Sequence, residues 1–141
     1  MVRGSDQSAK RPRRIWAPAI VIVFVAMLLY ALYRPIHSDI DWHTNFDSAR
    51  DAAQERDRPL LLYFTGDWCG PCRQMNRWTW PDEQVEALVK NSFIPVKIDM
   101  PNSYAMVPLA ERYNVVAVPT IIVADALGQP TAVLPGFATP S

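Results

Sequence analysis

Cysteine, histidine and glycine are scarce in these 141 residues, which hold two, two and five of them. Two cysteines exclude a multi-bridge secreted scaffold and cannot alone make a four-ligand zinc site, so neither a metal nor another cofactor is expected. No charge of one sign dominates, with 14 basic and 14 acidic residues. Arg3, Lys10, Arg11, Arg13 and Arg14 face only Asp6 at the start, whereas from Arg34 onward nine basic residues meet thirteen acidic ones. The basic face that a nucleic-acid partner requires is therefore missing from the body of the chain. Internal repeats and low-complexity tracts are also missing. With 50% hydrophobic residues and 20% charged ones the chain is too apolar for disorder, and its length allows one compact domain.

What is abundant is apolar sequence near the start. Residues 15–33, IWAPAIVIVFVAMLLYALY, carry no charge. As a helix they would measure roughly 28 Å, close to a bilayer's hydrocarbon thickness. A single transmembrane anchor is expected there, with residues 1–14 as a basic cytoplasmic tail and the rest of the chain extracytoplasmic by the positive-inside bias. In a Gram-negative cell that side is the periplasm. A cleaved signal peptide is the alternative, but its apolar core is normally shorter, and Ala31-Leu32-Tyr33 supplies no small-x-small cleavage site. Residues 34–41 read as a linker, leaving 42–141 for the folded domain.

Within that domain Asn45 can cap a helix over 46–56, whose Phe46, Ala49 and Ala53 share one face. Leu60–Thr65, LLLYFT, reads as a strand buried on both sides. One helix is expected at the cysteines and another from Pro81 to Lys90, with Pro81 at its first position. A strand over 93–99, a helix-like stretch over 104–112 that Pro108 bends or limits to its start, and strands over 120–124 and 131–134 complete an α/β order with a mixed sheet.

The two cysteines stand three apart in Trp68-Cys69-Gly70-Pro71-Cys72. This spacing, just after a strand, reads as a redox pair. The first turn of a helix brings residues i and i+3 within disulfide reach, and a helix N-terminus favours a thiolate at the first of them. Cys69 is then the exposed nucleophile that forms a mixed disulfide and Cys72 the buried thiol that resolves it. Structural thiols, a static bridge or half a zinc site with His37 and His43 are the alternatives.

These five residues are identical to the active-site signature of the thioredoxin family, and Val118-Pro119-Thr120 stands where that family has its cis-proline loop. The resemblance runs from about Ile40 to Phe137. Residues 64–85 resemble more closely the C-terminal thioredoxin-like domains of the DsbD disulfide interchange reductases, through Arg73, Met75, Thr79, Trp80, Asp82 and Val85. The resemblance implies a thioredoxin-like fold, a cis Pro119 packed on the disulfide, and a Val118 backbone that pairs with a bound peptide. Trp68, Gly70 and Pro71 would line the same substrate groove, with a core position as the alternative for Trp68.

Three departures stand out. Tyr63 occupies the position of the family's buried Asp, Pro95 falls where its lysine partner is expected, and little sequence after Gly136-Phe137 is left for the family's last helix. Water, or a nearby carboxylate such as Asp67, is the candidate substitute as proton acceptor. The expected function is a membrane-anchored thiol:disulfide oxidoreductase that reduces protein disulfides and is resupplied by a separate membrane electron donor. An oxidase or isomerase on the same fold, or a non-enzymatic binding module, are the alternatives.

Overall fold

The computed structural model describes residues 16–32, 37–102 and 107–140. The chain divides into two units, Met1–Pro35 and Ile36–Ser141. Among its described residues the first holds the helix α1 (Trp16–Leu32), without a charged residue. Its 17 residues measure about 26 Å. Among the described residues no helix is long and apolar enough to cross a membrane. The basic tail 1–14, Ile15 and Tyr33 at the ends of the expected span, and the start of the linker at 34–36 lie outside the described residues.

The second unit is a four-stranded mixed sheet with helices on its faces. Its elements in order are α2 (Phe46–Arg56), β1 (Leu60–Thr65), α3 (Gly70–Gln74), a π-helical turn (Met75–Thr79), α4 (Glu83–Ser92), β2 (Ile94–Asp99), α5 (Pro108–Arg112), β3 (Thr120–Ala124) and β4 (Pro130–Pro135). The strand order is β2-β1-β3-β4. β1 pairs parallel with β2 and antiparallel with β3, so its backbone groups are satisfied on both edges and all six of its side chains are buried. Leu60, Leu62 and Phe64 pack with α2 and α5 residues such as Ala49, Ala53 and Ala110. Leu61 and Tyr63 point to the other face, into a second cluster with Ile40, Met75, Trp80 and Val89.

Local chemistry sets the element ends. Asn45 caps α2 by accepting the Ser48 N–H at 3.0 Å. At the far end of the sheet Asp125 accepts the Leu127 and Gln129 N–H groups at 2.9 and 2.8 Å, and Gly128 takes φ +85° to close the turn into β4.

Several expectations are corrected. Helix α4 begins at Glu83 and not at Pro81, because the Asp82 carboxylate caps it through the Gln84 and Val85 N–H groups at 3.0 and 3.1 Å. The cysteine helix widens into the π turn, closed by Trp80 N–H on the Met75 carbonyl at 3.1 Å. The extra residue leaves Trp78 exposed while Thr79 and Trp80 turn inward. Pro108 does limit its helix to a start at that residue, and 104–106 lie outside the described residues. Strand β4 is exposed along its whole length. After it, 136–140 form no helix; the Ala138 carbonyl accepts the Thr79 hydroxyl at 2.6 Å and Ala138 packs on the second cluster. Register sets Lys97 opposite Tyr63, whereas Pro95 faces Leu61.

Candidate active site

The site is built where β1 runs out. Beyond Thr65 the chain turns at Gly66, tightened by Cys69 N–H on the Gly66 carbonyl at 3.1 Å. A side chain at Gly66 has no room, because a Cβ there would lie 2.7 Å from Trp68 Nε1 and 2.9 Å from the Met100 carbonyl oxygen. The same close approach lets Trp68 Nε1–H donate to the Met100 carbonyl at 2.7 Å. The indole is thereby held at the surface, 43% exposed, and not in the core. Gly66 is not among the residues expected above, although a glycine between a strand and a Trp-Cys pair is a signal of close backbone approach.

Cys69 is the N-cap of α3 in extended conformation, with Gly70 and Pro71 in the first turn, where a missing donor costs little. Its Sγ takes the place of a capping oxygen, accepting the Cys72 N–H at 3.2 Å. Cys69 and Cys72 are joined in a disulfide with Cα atoms 5.3 Å apart. Expected to be exposed, Cys69 is only 4% exposed and Cys72 is fully buried. The difference from expectation has a cause in the loop before β3. The Val118–Pro119 peptide is cis, Pro119 is buried, and the Val118 carbonyl oxygen lies 3.6 Å from Cys69 Sγ. That loop is held by Thr120 Oγ1–H on the Ala117 carbonyl at 2.8 Å and by Gly136 N–H on the Pro119 carbonyl at 2.8 Å.

The structure thus brings Trp68, Cys69, Gly70, Pro71 and Cys72 together on one turn and sets the Val118 carbonyl beside it, with the cis Pro119 next in the chain. Gly70 faces open space, and Pro71 is exposed. Asp67 is exposed, and its carbonyl accepts from Arg73 at 2.8 Å. His43 sits instead at the outer edge of the sheet, bridging to Val96.

Behind the disulfide lies a group of residues that sequence reading left unconnected. The Tyr63 hydroxyl is near the Cys72 carbonyl at 3.3 Å and Asn76 Oδ1 at 3.4 Å. Its ring stacks edge-on against Trp80 with centroids 4.9 Å apart, and Trp42 packs against both rings. Burial raises the Tyr63 phenol above its ordinary pKa, opposed in part by Thr65 and Trp80. Asn76 stands four residues after Cys72, so helical spacing alone places the two on one face.

This arrangement has a defined chemistry. When the pair is reduced, an N–H aimed at Cys69 Sγ favours the thiolate there over the thiol. A thiolate attacks a disulfide sulfur to give a mixed disulfide, and a second thiol at bonding distance closes it.

Comparison with known proteins agrees with this reading. Residues 41–126 match the thioredoxin-like family. The chain is 29% identical over 145 residues to the thiol:disulfide interchange protein DsbD of Salmonella typhi, a match that covers 89% of this chain and 25% of that protein. The chain therefore spans about a quarter of the length of such relatives. Among solved structures, the reduced C-terminal domain of Neisseria meningitidis DsbD superposes with a TM-score of 0.55 at 26% identity, over 66% of this chain and 83% of that one. A thioredoxin from Thermus thermophilus gives 0.56 at 26% identity, over 67% and 74%. Family match, mixed sheet and paired cysteines converge: the chain belongs to the thioredoxin-like family and carries the redox-active cysteine pair of a thiol:disulfide oxidoreductase.

Proposed function

We propose that this protein reduces disulfides in extracytoplasmic proteins while tethered to the membrane by its N-terminal segment. The observation that carries the reading is the Cys69–Cys72 disulfide at the start of α3, with Cys69 Sγ capped by an N–H and facing the Val118 carbonyl. Trp68, Gly70, Pro71, Val118 and Pro119 form the surface against which a client peptide lies, and the small exposure of Cys69 restricts attack to a segment that enters that groove.

The reductive direction is supported by the Gly70-Pro71 dipeptide and by the likeness to DsbD. Two cysteines cannot carry electrons across a bilayer, so this reading calls for a membrane electron donor, in line with the likeness to DsbD. Tethering is supported by the charge-free sequence of 15–33 behind five basic residues, and by a helix α1 that shows no polar face. On this reading the folded unit is periplasmic in a Gram-negative cell.

Alkaline carbonate extraction of membranes, with protease added to spheroplasts, tests the tether. The full chain is expected in the pellet, with its folded unit cut from outside. Release into the supernatant, or protection of the folded unit, contradicts the proposed topology.

A further inference from the structure

The face of β1 behind the disulfide carries a buried hydroxyl that the exchange chemistry above does not use. Tyr63 is fully buried, and its single O–H hydrogen has two acceptors within reach, the Cys72 carbonyl at 3.3 Å and Asn76 Oδ1 at 3.4 Å. Thr65 and Trp80 bring polar atoms near the same hydroxyl without closing a hydrogen bond, since Thr65 Oγ1 and Trp80 Nε1 have no partner. One phenol thus links the strand that precedes the active-site turn, the backbone of the second cysteine, and the turn that follows.

The apolar cluster that holds Tyr63 includes Ile40, Trp42, Met75, Trp80, Val89 and Ile121, none of them titratable. From β2, Lys97 stands in register with Tyr63, and Asp99, which is exposed, stands in register with Thr65. The nearest carboxylate on the cysteine side, Asp67, is also exposed.

We propose that Tyr63 is a positioning residue for the resolving thiol: its un-ionised hydroxyl, shared between the Cys72 carbonyl and the Asn76 amide, fixes Cys72 for attack on the mixed disulfide without a buried acid–base group. The proposal rests on the exchange reading and deepens it. In the resolving step the Cys72 sulfur bonds to the Cys69 sulfur, and the bond from Cys69 to the client sulfur breaks. The client sulfur leaves with the electron pair, and the Cys72 proton passes to it or to water. Tyr63 enters the step with its proton and leaves with it. The pH dependence of closure is then that of the thiol itself, with a single inflection.

The test uses the full chain, reduced and held in detergent micelles, mixed with one molar equivalent of 5,5′-dithiobis(2-nitrobenzoate). The first thionitrobenzoate released reports attack by Cys69, and the second reports closure by Cys72. Release of both from the wild-type chain upholds exchange; a wild-type chain that stops after the first overturns the exchange reading itself, separately from Tyr63. Tyr63→Phe is expected to slow the second phase about fivefold, the worth of one modest hydrogen bond, with the first phase unchanged. Asn76→Ala, on a half-buried residue, is expected to slow the same phase and carries the test if Tyr63→Phe does not fold. Closure at wild-type rate in the folded variants overturns the proposal. So does a second inflection in the wild-type pH profile, whether Tyr63→Phe removes it, which makes the phenol a titrating group, or leaves it, which assigns it elsewhere.

Discussion

A Cys69→Ser chain is expected to lose disulfide exchange completely, while a Cys72→Ser chain still attacks but stalls as a mixed disulfide with its client. The asymmetry follows from the geometry. Cys69 Sγ is the sulfur that receives the Cys72 N–H at 3.2 Å and retains the only solvent exposure of the pair, whereas Cys72 is sealed beneath it. A serine hydroxyl at 69 can take the capping hydrogen bond, so the fold survives, but it is not ionised near neutral pH and does not attack sulfur. At 72 the loss falls on the second step alone. Mass spectrometry after incubation with a disulfide-bonded peptide checks this, with an adduct of one client chain expected on Cys72→Ser and none on Cys69→Ser. Retained turnover in Cys69→Ser contradicts the nucleophile assignment and favours a binding module.

Phe64→Ala is expected to destabilise the folded unit by about 3–5 kcal/mol, a large part of the roughly 5–15 kcal/mol that such a domain has to lose. Phe64 is fully buried in the central strand, on the face opposite Tyr63, with Ile98 and Thr120 as its neighbours across the sheet and Tyr113 edge-on at a centroid distance of 6.3 Å. Strands on both sides fix the backbone there, so the cavity cannot collapse readily. Urea unfolding followed by near-ultraviolet dichroism measures the loss, with Leu88→Ala on the exposed side of α4 as a control within about 0.5 kcal/mol of wild type. A loss under about 1 kcal/mol for Phe64→Ala contradicts the packing described.

Much of this molecule is legible in its sequence because local rules and tertiary context agree. Six consecutive apolar or β-forming residues at 60–65 announce a strand covered on both faces, and the structure buries all six. Asn45 sits where a helix start needs an acceptor, and the cysteine spacing announces its own bond. What stays hidden depends on contacts distant in the chain. The π turn at 75–79 has no local signature, and its consequence is an inward Trp80 against Tyr63 and Trp42. Strand β4 has the apolar Ala132, Val133 and Leu134 of a covered strand, yet lies exposed at the sheet edge beyond β3. The near-complete burial of Cys69 comes from a loop 49 residues away. Tyr63 reads as a lost carboxylate, and only the fold shows its hydroxyl aimed at the Cys72 carbonyl.

The measurement that bears most directly on the proposed reductive role is the reduction potential of the Cys69/Cys72 pair in the full chain, equilibrated against glutathione and read by thiol alkylation. A value near the thioredoxin end of the scale, about −270 mV, is expected, where a dithiol gives its electrons to client disulfides. A value near −120 mV, at about the DsbA end, would contradict it and make the protein a donor of disulfides.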